Sequence, residues 1–266
     1  MTRAWLVVAG GLLLGACVST RGRGVPGRFA FDSATVTCRQ NPASCVTLAG
    51  QEVAPVPHLV GVAAATGRAL VSVLDAMART NIEAELEHCA DLARSEVLSH
   101  YPTEFASMSP SEEECKKWTV DEKGRRVTWA MRLGTEMHEV ALECTAKNLG
   151  RLRLGGFSLE PCYSYDKQTG RTTFMSCEVV QGLLEEGCGD ELCGTLRPDV
   201  VIHTGDPTNA LAVYDFKFPC VNSDRFPEWR SYPKGHTHQG CNQKEMYQAA
   251  LIVEPLRVVP RLGVVR

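Results

Sequence analysis

Three features are missing from this sequence of 266 residues, and each absence narrows the range of possible functions. The formal net charge is −3, so the chain lacks the overall positive field that marks many nucleic-acid-binding proteins. None of the 12 cysteines belongs to a C-x-x-C pair, which argues against a zinc ribbon. The apolar run near the N-terminus, Ala4–Leu14, is too short for a comfortable membrane span. What the chain does have is 44% hydrophobic residues, enough for a core of ordinary size.

Residues 1–17 resemble the signal peptide of bacterial lipoproteins. Arg3 precedes the apolar run, and Leu14-Gly15-Ala16-Cys17 closes it, so we expect Cys17 to become the lipidated first residue. The next residue is Val18 and not Asp, which favours the outer membrane under the sorting rule of such lipoproteins. We therefore expect a cell-envelope protein anchored to the membrane through Cys17. An ordinary secretory signal or a buried N-terminal helix is the alternative.

The cysteine count also indicates export, because twelve is high for a chain of this length in a reducing cytosol. Lipidation of Cys17 would leave an odd number, so at least one thiol would be free or paired outside the chain. The spacings favour two small loop disulfides, Cys38–Cys45 and Cys188–Cys193. The other pairings cannot be deduced from the sequence.

The composition divides the chain into successive regions after the signal. Residues 18–57 are irregular and rich in glycine and proline, as in a tether. Residues 58–110 form a helical region, with two helical segments expected over Leu59–Leu98 and an amphipathic pattern from Asn81. A break between Tyr101 and Gly124 indicates a domain boundary, and residues 125–266 form the second domain. The helical region is expected either to be a separate module or to wrap the core.

The segment Arg197–Lys217 carries the strongest chemical signal. An apolar β-branched run, Val200–Ile202, and a second apolar run, Ala210–Phe216, flank the turn formers of Gly205–Asn209, so we expect a hairpin. Residues two apart on a strand share a face, so Asp215 and Lys217 should point the same way, with Phe216 facing the core. Charged groups in an apolar hairpin are costly unless they are paired or bound to a metal. The alternative is an edge hairpin with an Asp–Lys pair on its surface.

Two acids can bind Mg²⁺ or Mn²⁺, and an adjacent lysine can orient or deprotonate a water. Pro198-Asp199, followed by Asp215-Phe216-Lys217, resembles the paired motif of the PD-(D/E)xK nuclease superfamily. Upstream, Leu133–Glu143 resembles the G-x-x-x-H helix of the RecB-like branch, and Gln243 and Tyr247 match its Q-x-x-x-Y helix. The motifs occur in the order of that family, and the resemblance covers Val127–Val265.

The resemblance implies an α/β fold, a restriction-endonuclease-like three-layer core with a mixed sheet, with the α-helical region before it. It implies that Mg²⁺ or Mn²⁺ is bound by His138, Asp199, Asp215 and the carbonyl of Phe216. Glu139 or Glu143 is the competing ligand from the helix. Lys217 would activate the attacking water, and Gln243 and Tyr247 would orient the backbone or Lys217.

The loop Pro219–Gly240 interleaves basic and aromatic residues beside these motifs. Such loops suit contacts with phosphates and bases, for which we single out Arg225, Arg230 and Lys234. His236-x-His238 together with Cys241 could instead form a metal site, although a complete set of four ligands with a familiar spacing is missing.

The predicted activity is metal-dependent cleavage of phosphodiester bonds in DNA, with RNA as the other candidate substrate. The layout of a lipoprotein signal before a nuclease domain resembles polymorphic toxins that act between bacteria, delivered to a target-cell cytoplasm. Such toxins come with an immunity protein, which would be a partner of this chain. The alternative is an outer-membrane lipoprotein without enzymatic activity that uses a nuclease-like fold as a binding module.

Overall fold

The computed structural model describes residues 74–152, 156–187, 192, 194–222 and 224–266. The predicted lipidation site Cys17, the tether, the first part of the helical region and the two predicted loop disulfides lie outside these residues. Among the residues that the structure describes, no helix is both long and apolar enough to cross a membrane.

The described part of the chain is a mixed α/β structure. Its helices are α1 (Ala76–Ser99), α2 (Glu112–Lys116), α3 (Trp129–Arg151), α4 (Cys177–Glu185) and α5 (Gln243–Leu251). Its strands are β1 (Trp118–Val120), β2 (Arg126–Thr128), β3 (Phe157–Leu159), β4 (Cys162–Asp166), β5 (Arg171–Met175), β6 (Val200–His203), β7 (Ala210–Phe216), β8 (Leu256–Val259) and β9 (Gly263–Val265). The predicted α/β class is confirmed at this level.

A five-stranded mixed sheet forms the centre, in the order β3-β6-β7-β8-β9. All its pairs are antiparallel except β7 and β8, which run parallel on either side of the connection through α5. Two small hairpins, β1-β2 and β4-β5, lie outside it. The predicted hairpin is confirmed as β6-β7, and it occupies interior positions of the sheet because β3 and β8 cover its edges.

The alternation of side chains along these strands builds a layer on each face of the sheet. Val200, Ile202 and Phe216 belong to a buried cluster with α1 and α3, whereas Val201 and Val213 belong to a second cluster with α5. The sheet is therefore covered by helices on both sides, and the chemistry-bearing end of β7 lies between the two layers.

Helix α1 packs into the same core as the sheet. Ile82 and Leu86 are fully buried in the cluster that contains Val200, and a disulfide joins Cys89 to Cys144 of α3. Leu92, which the helical pattern placed on the apolar face, is instead exposed at 39%. Of the two arrangements expected for the helical region, its described part adopts the one that wraps the core.

The predicted boundary between Tyr101 and Gly124 is crossed by strong tertiary links. A disulfide joins Cys115, next to the end of α2, to Cys220 just after β7. The guanidinium of Arg94 donates hydrogen bonds to the carbonyls of Pro219 at 2.7 Å and Cys220 at 3.2 Å. The segment following β7 is thus attached to the helical region instead of being separated from it.

Several predicted element boundaries shift for local reasons. Helix α3 begins at Trp129 and not Val127, because Thr128 caps it and ends strand β2. The sequence predicts that this helix ends at Asn148 with Gly150 as its stop, and this is wrong because the helix continues through Gly150 to Arg151. The expected single strand Phe157–Tyr165 is divided by Glu160, whose φ is 46°.

Two other predictions concern turns and caps. Ser111 forms the predicted capping box with Glu114 at the start of α2, and the turns after Asp121 and Asp166 are confirmed by backbone hydrogen bonds. The expected final strand Leu256–Val265 is a hairpin, because the chain turns at Pro260 and β9 folds back onto β8.

Candidate active site

The two motif acids meet at the ends of neighbouring strands. Asp199 directly precedes β6 and Asp215 lies near the end of β7, and the pairing of Val200 with Tyr214 brings these ends together. The backbone N–H of Phe216 donates a hydrogen bond of 2.6 Å to Oδ2 of Asp199. Both carboxylates are buried, with 1% of Asp199 and 3% of Asp215 exposed. Phe216 points into the core as predicted.

Lys217 connects the strand to helix α5. Its ammonium forms an ion pair with Asp215 and donates a hydrogen bond of 2.8 Å to Oε1 of Gln243. Only 16% of the lysine side chain and 4% of the aspartate side chain are exposed. The alternative of a surface pair on an edge hairpin is therefore wrong, because β7 is an interior strand and the pair is largely enclosed.

His138 reaches the same point from helix α3. Its Nδ1 lies 2.8 Å from the carbonyl oxygen of Gly134, so the two residues share a helix face, as their spacing of four predicts. Its Nε2 lies 3.1 Å from the carbonyl oxygen of Phe216 and 3.4 Å from Oδ2 of Asp199. Because both ring nitrogens face acceptors, this geometry suits the protonated imidazolium.

The charges at this point perturb one another. Burial lowers the pKa of His138. The negative charge of Asp199 and the hydrogen bond to it act in the opposite direction, and the net result is a pKa raised to about 9. Burial raises the pKa of Asp215 to about 6, with Lys217 opposing the shift and Asp199 adding to it. Perturbed titratable groups that are clustered in this way are typical of functional sites, although buried ion-pair networks also produce them.

Gln243 and Tyr247 form the supporting layer on α5. Asn242 caps the helix, so its first residue, Gln243, faces the end of β7. Its Nε2 lies 3.5 Å from the hydroxyl of Tyr247, and that hydroxyl donates a hydrogen bond of 3.1 Å to the carbonyl oxygen of Arg197. Both side chains are buried. The one-face spacing read from the sequence is thus observed, and it links Lys217 to the segment before Asp199.

The other predicted residues lie farther from this cluster or on the surface. Glu139 and Glu143 are exposed on α3, and Arg225, Arg230 and Lys234 are exposed in the loop after β7. His238 is buried with its Nε2 2.7 Å from the carbonyl oxygen of Gly194.

An ion pair that the sequence did not reveal lies directly behind Asp199. Nη2 of Arg197 is 3.1 Å from Oε2 of Glu160, and both side chains are 2% exposed. Nε of Arg197 donates to the carbonyl oxygen of Glu160, and the N–H of Glu160 donates to the carbonyl oxygen of Asp199 at 2.8 Å. The sequence favours a surface position for Glu160 over a position near the site, and the surface position is wrong because Glu160 is buried. The arginine next to Pro198-Asp199, in an otherwise apolar stretch, was the available signal.

Trp229 is a second residue that the motifs missed. Its ring centroid lies 5.2 Å from Nζ of Lys217 and 6.3 Å from the ring of Tyr247, which it meets edge-on. A cation over an indole ring is attracted by the ring quadrupole. The loop after β7 therefore contributes an aromatic wall to the lysine.

The donor set can be tested against the expected divalent ion. In the described part of the chain, no group of three or more His, Cys, Asp or Glu side chains is arranged to hold a metal ion. This applies to the predicted set of His236, His238 and Cys241, and equally to His138 together with Asp199 and Asp215. Magnesium usually keeps several waters and is held by one or two carboxylates. The two neighbouring carboxylates of Asp199 and Asp215 therefore fit Mg²⁺ or Mn²⁺ better than a metal that needs a complete protein cage.

Comparison with protein-family models, with curated proteins and with solved structures finds no match to this chain.

Proposed function

We propose that this protein is a metal-dependent nuclease of the PD-(D/E)xK type. The observation that carries the proposal is the position of Lys217. Its ammonium contacts Asp215 and also Gln243, which lies 26 positions after the lysine in the chain. Residues of three motifs that are separate in the sequence thus converge at one end of β6 and β7. Coincidental matches of short patterns would have no reason to converge in space.

The order of elements supports the finer fold assignment that we propose, a restriction-endonuclease-like core. Helix α3 is followed by strand β3, the hairpin β6-β7, helix α5 and the parallel strand β8. This is the succession of helix, strands, hairpin, helix and strand that the resemblance implies. Helices on both faces of the mixed sheet are consistent with its three layers.

In the proposed reaction, water attacks phosphorus, the bond from phosphorus to the leaving oxygen breaks, and that oxygen takes up a proton. A bound Mg²⁺ or Mn²⁺ supplies Lewis-acid stabilisation of charge on the phosphate. Asp199 and Asp215 would hold it through their carboxylate oxygens, and the carbonyl of Phe216 and the ring of His138 would be further donors. His138 must lose its Nε2 proton before that nitrogen can bind a metal.

Lys217 would orient the attacking water as an ammonium, and it could accept the proton of that water only after losing one of its own. Gln243 restrains the lysine through its 2.8 Å hydrogen bond, and the ring of Trp229 flanks it on the loop side. Positioning of this kind contributes to rate because the reacting groups lose little further freedom in the transition state.

The biological role that we propose is that of a lipoprotein toxin in competition between bacteria, delivered from the envelope of one cell to the cytoplasm of another. It is supported by the lipoprotein-like segment ending at Cys17 and by the cysteine content. It requires a cognate immunity protein in the producing cell. DNA is the substrate that we propose, with RNA included in the test.

The test is cleavage of plasmid DNA and of a structured RNA by the purified protein, with Mg²⁺, Mn²⁺ or EDTA. Asp215→Asn and Lys217→Met should each lose activity by orders of magnitude while remaining folded, as judged by circular dichroism. Lys147→Met, which removes an exposed cation from α3, is the matched control and should cleave like the wild type.

Cleavage that survives in folded Lys217→Met would refute the assignment. Failure of the folded, metal-loaded wild type to cut any substrate would favour a non-enzymatic binding module instead. The charge balance among His138, Asp199, Asp215 and Lys217 would then be structural.

A further inference from the structure

A group of basic side chains gathers on one surface beside the candidate active site. We call the group formed by Lys167, Arg230, Lys234 and His236 the basic surface. Lys167 comes from the turn between β4 and β5, and its Nζ lies 3.6 Å from Sγ of Cys241. The other three come from the loop after β7, which is held against the same cysteine by the hydrogen bond from Tyr232 N–H to the Cys241 carbonyl.

The positions of these groups are set by the fold of the loop. The N–H of His236 donates to the carbonyl oxygen of Pro233 at 3.1 Å, so a tight turn presents Lys234 at its tip. The ring of His236 stacks on Tyr232, with centroids 4.5 Å apart. Burial, followed by the positive charges of His238, Arg230 and Lys167, lowers the pKa of His236, which agrees with an accumulation of positive charge around this ring.

Local carboxylates do not neutralise this charge. Within the described residues, neither Lys167 nor Arg230 forms an ion pair. Glu228, two residues before Arg230, is exposed and forms no ion pair with it within the described residues, and two other acids near this surface are engaged elsewhere. Asp166 accepts hydrogen bonds from Gln168 and Thr169 in its own turn, and Glu245 caps the N–H of Asn242.

The basic surface is continuous with the active site through two direct links. The N–H of Gln243, whose side chain contacts Lys217, donates a hydrogen bond of 2.9 Å to the carbonyl oxygen of Arg230. The residue before Arg230 is Trp229, whose ring flanks the ammonium of Lys217. These links bring the backbone of Arg230 next to the site, so Arg230 is adjacent to a phosphate bound at Lys217.

We propose that the basic surface binds the phosphate backbone of the substrate strand on one side of the scissile bond, with Lys167 and Arg230 as its principal contacts. This inference rests on the proposed nuclease function and adds Lys167, from the β4-β5 hairpin outside the central sheet, to the substrate site. The aromatic rings here are not free platforms for bases, because Tyr232 is 8% exposed and covered by His236. The surface contacts phosphates, so it should bind without sequence preference.

The experiment measures binding of a short fluorescein-labelled DNA duplex by anisotropy, in EDTA to prevent cleavage, over a range of salt concentrations. The variants are Lys167→Gln, Arg230→Gln and their combination. The matched control is the combination Lys147→Gln and Arg151→Gln, which removes two exposed cations from the C-terminal turns of α3. All variants are first checked for native circular dichroism.

We expect each single substitution to reduce the steepness of log K against log salt by about 0.9, and the double variant by about 1.8. Duplexes of different sequence should lose affinity equally. The control pair should leave the steepness unchanged. In metal-containing cleavage assays, the double variant should raise KM several-fold and leave kcat close to that of the wild type.

Two results would overturn the inference. One is a wild-type protein that does not bind the duplex even at low salt; the other is a double variant whose salt dependence equals that of the wild type. Either result could coexist with metal-dependent cleavage, in which case the nuclease assignment would stand and the basic surface would not be its substrate site. A wild-type protein that does not cleave any substrate in the presence of metal would instead contradict the nuclease function.

Discussion

The buried pair of Arg197 and Glu160 allows a sharp test of how the candidate site is held together. The pair fixes the segment in front of Asp199 from two sides. Arg197 contacts both the carboxylate and the carbonyl of Glu160, and the N–H of Glu160 donates back to the carbonyl oxygen of Asp199. The perturbation is Arg197→Met, which keeps the aliphatic volume and removes the guanidinium.

The magnitude follows from the burial of both partners. Each side chain is 2% exposed, so removing the arginine leaves the Glu160 carboxylate buried without its guanidinium. Breaking one partner of a buried ion pair costs about 3–5 kcal/mol of the free energy of unfolding. Replacing both partners with apolar residues removes the stranded charge as well. The combination of Arg197→Met and Glu160→Leu should therefore be more stable than Arg197→Met alone.

The assay is urea unfolding of both variants beside the wild type, monitored by circular dichroism. Lys116→Met is the control, because it breaks an ion pair of 2.8 Å with Glu112 in which both side chains are about 70% exposed, at 69% and 72%. Little or no change is expected there, since exposed pairs contribute little. An Arg197→Met variant as stable as this control would refute the reasoning. A double variant less stable than Arg197→Met would show that the pair is not the relevant interaction.

Three further predictions test other parts of the structure. Replacing Cys115 and Cys220 by serine should lower the free energy of unfolding in urea by roughly 3–5 kcal/mol, because the disulfide closes a long loop. The wild type with its disulfides reduced should lose at least as much stability. The pKa of His138, lowered by burial but raised overall by Asp199 to about 9, exceeds the unfolded value of about 6.5. Its stabilisation should be complete below pH 6.5 and lost as the pH rises through 9, so urea unfolding of His138→Gln should show a flatter dependence over that range. Ile252 is exposed at the end of α5 and has a φ of 59°, a left-handed backbone conformation that is unfavourable for a β-branched residue. Ile252→Gly should therefore raise the free energy of unfolding by about 1 kcal/mol. An unchanged urea midpoint would contradict this.

The hairpin and the helix faces could be predicted because their signals are local. The apolar runs on either side of Gly205–Asn209 predict β6 and β7 without reference to the rest of the chain, and the four-residue spacing places Gly134 with His138 on one helix face. The convergence of these elements was expected from the order of the motifs and not from any pattern within them. The position of Lys217 between Asp215 and Gln243 is therefore the observation that the sequence alone does not contain.

The packing of α1 could not be predicted in the same way. The segment before Gly124 has the composition of a linker, and no local pattern indicates that Cys115 pairs with Cys220, 105 positions away. The buried position of Glu160 could not be predicted for a related reason. An isolated acid in an irregular stretch is usually solvated, and only the tertiary position of Arg197 makes its burial tolerable.

The charge balance of the site bears on why a divalent ion would be required. His138 and Lys217 carry two positive charges against the two negative charges of Asp199 and Asp215, so the enclosed cluster is close to neutral by itself. A neutral, buried cluster has little attraction for a phosphodiester, which carries its own negative charge. In the proposed reaction, a divalent ion held by Asp199 and Asp215 would add positive charge to the cluster and compete with Lys217 for Asp215, which would favour the approach of a phosphate. Substrate affinity at the cleavage point should therefore depend on metal, whereas affinity for the basic surface should depend on salt.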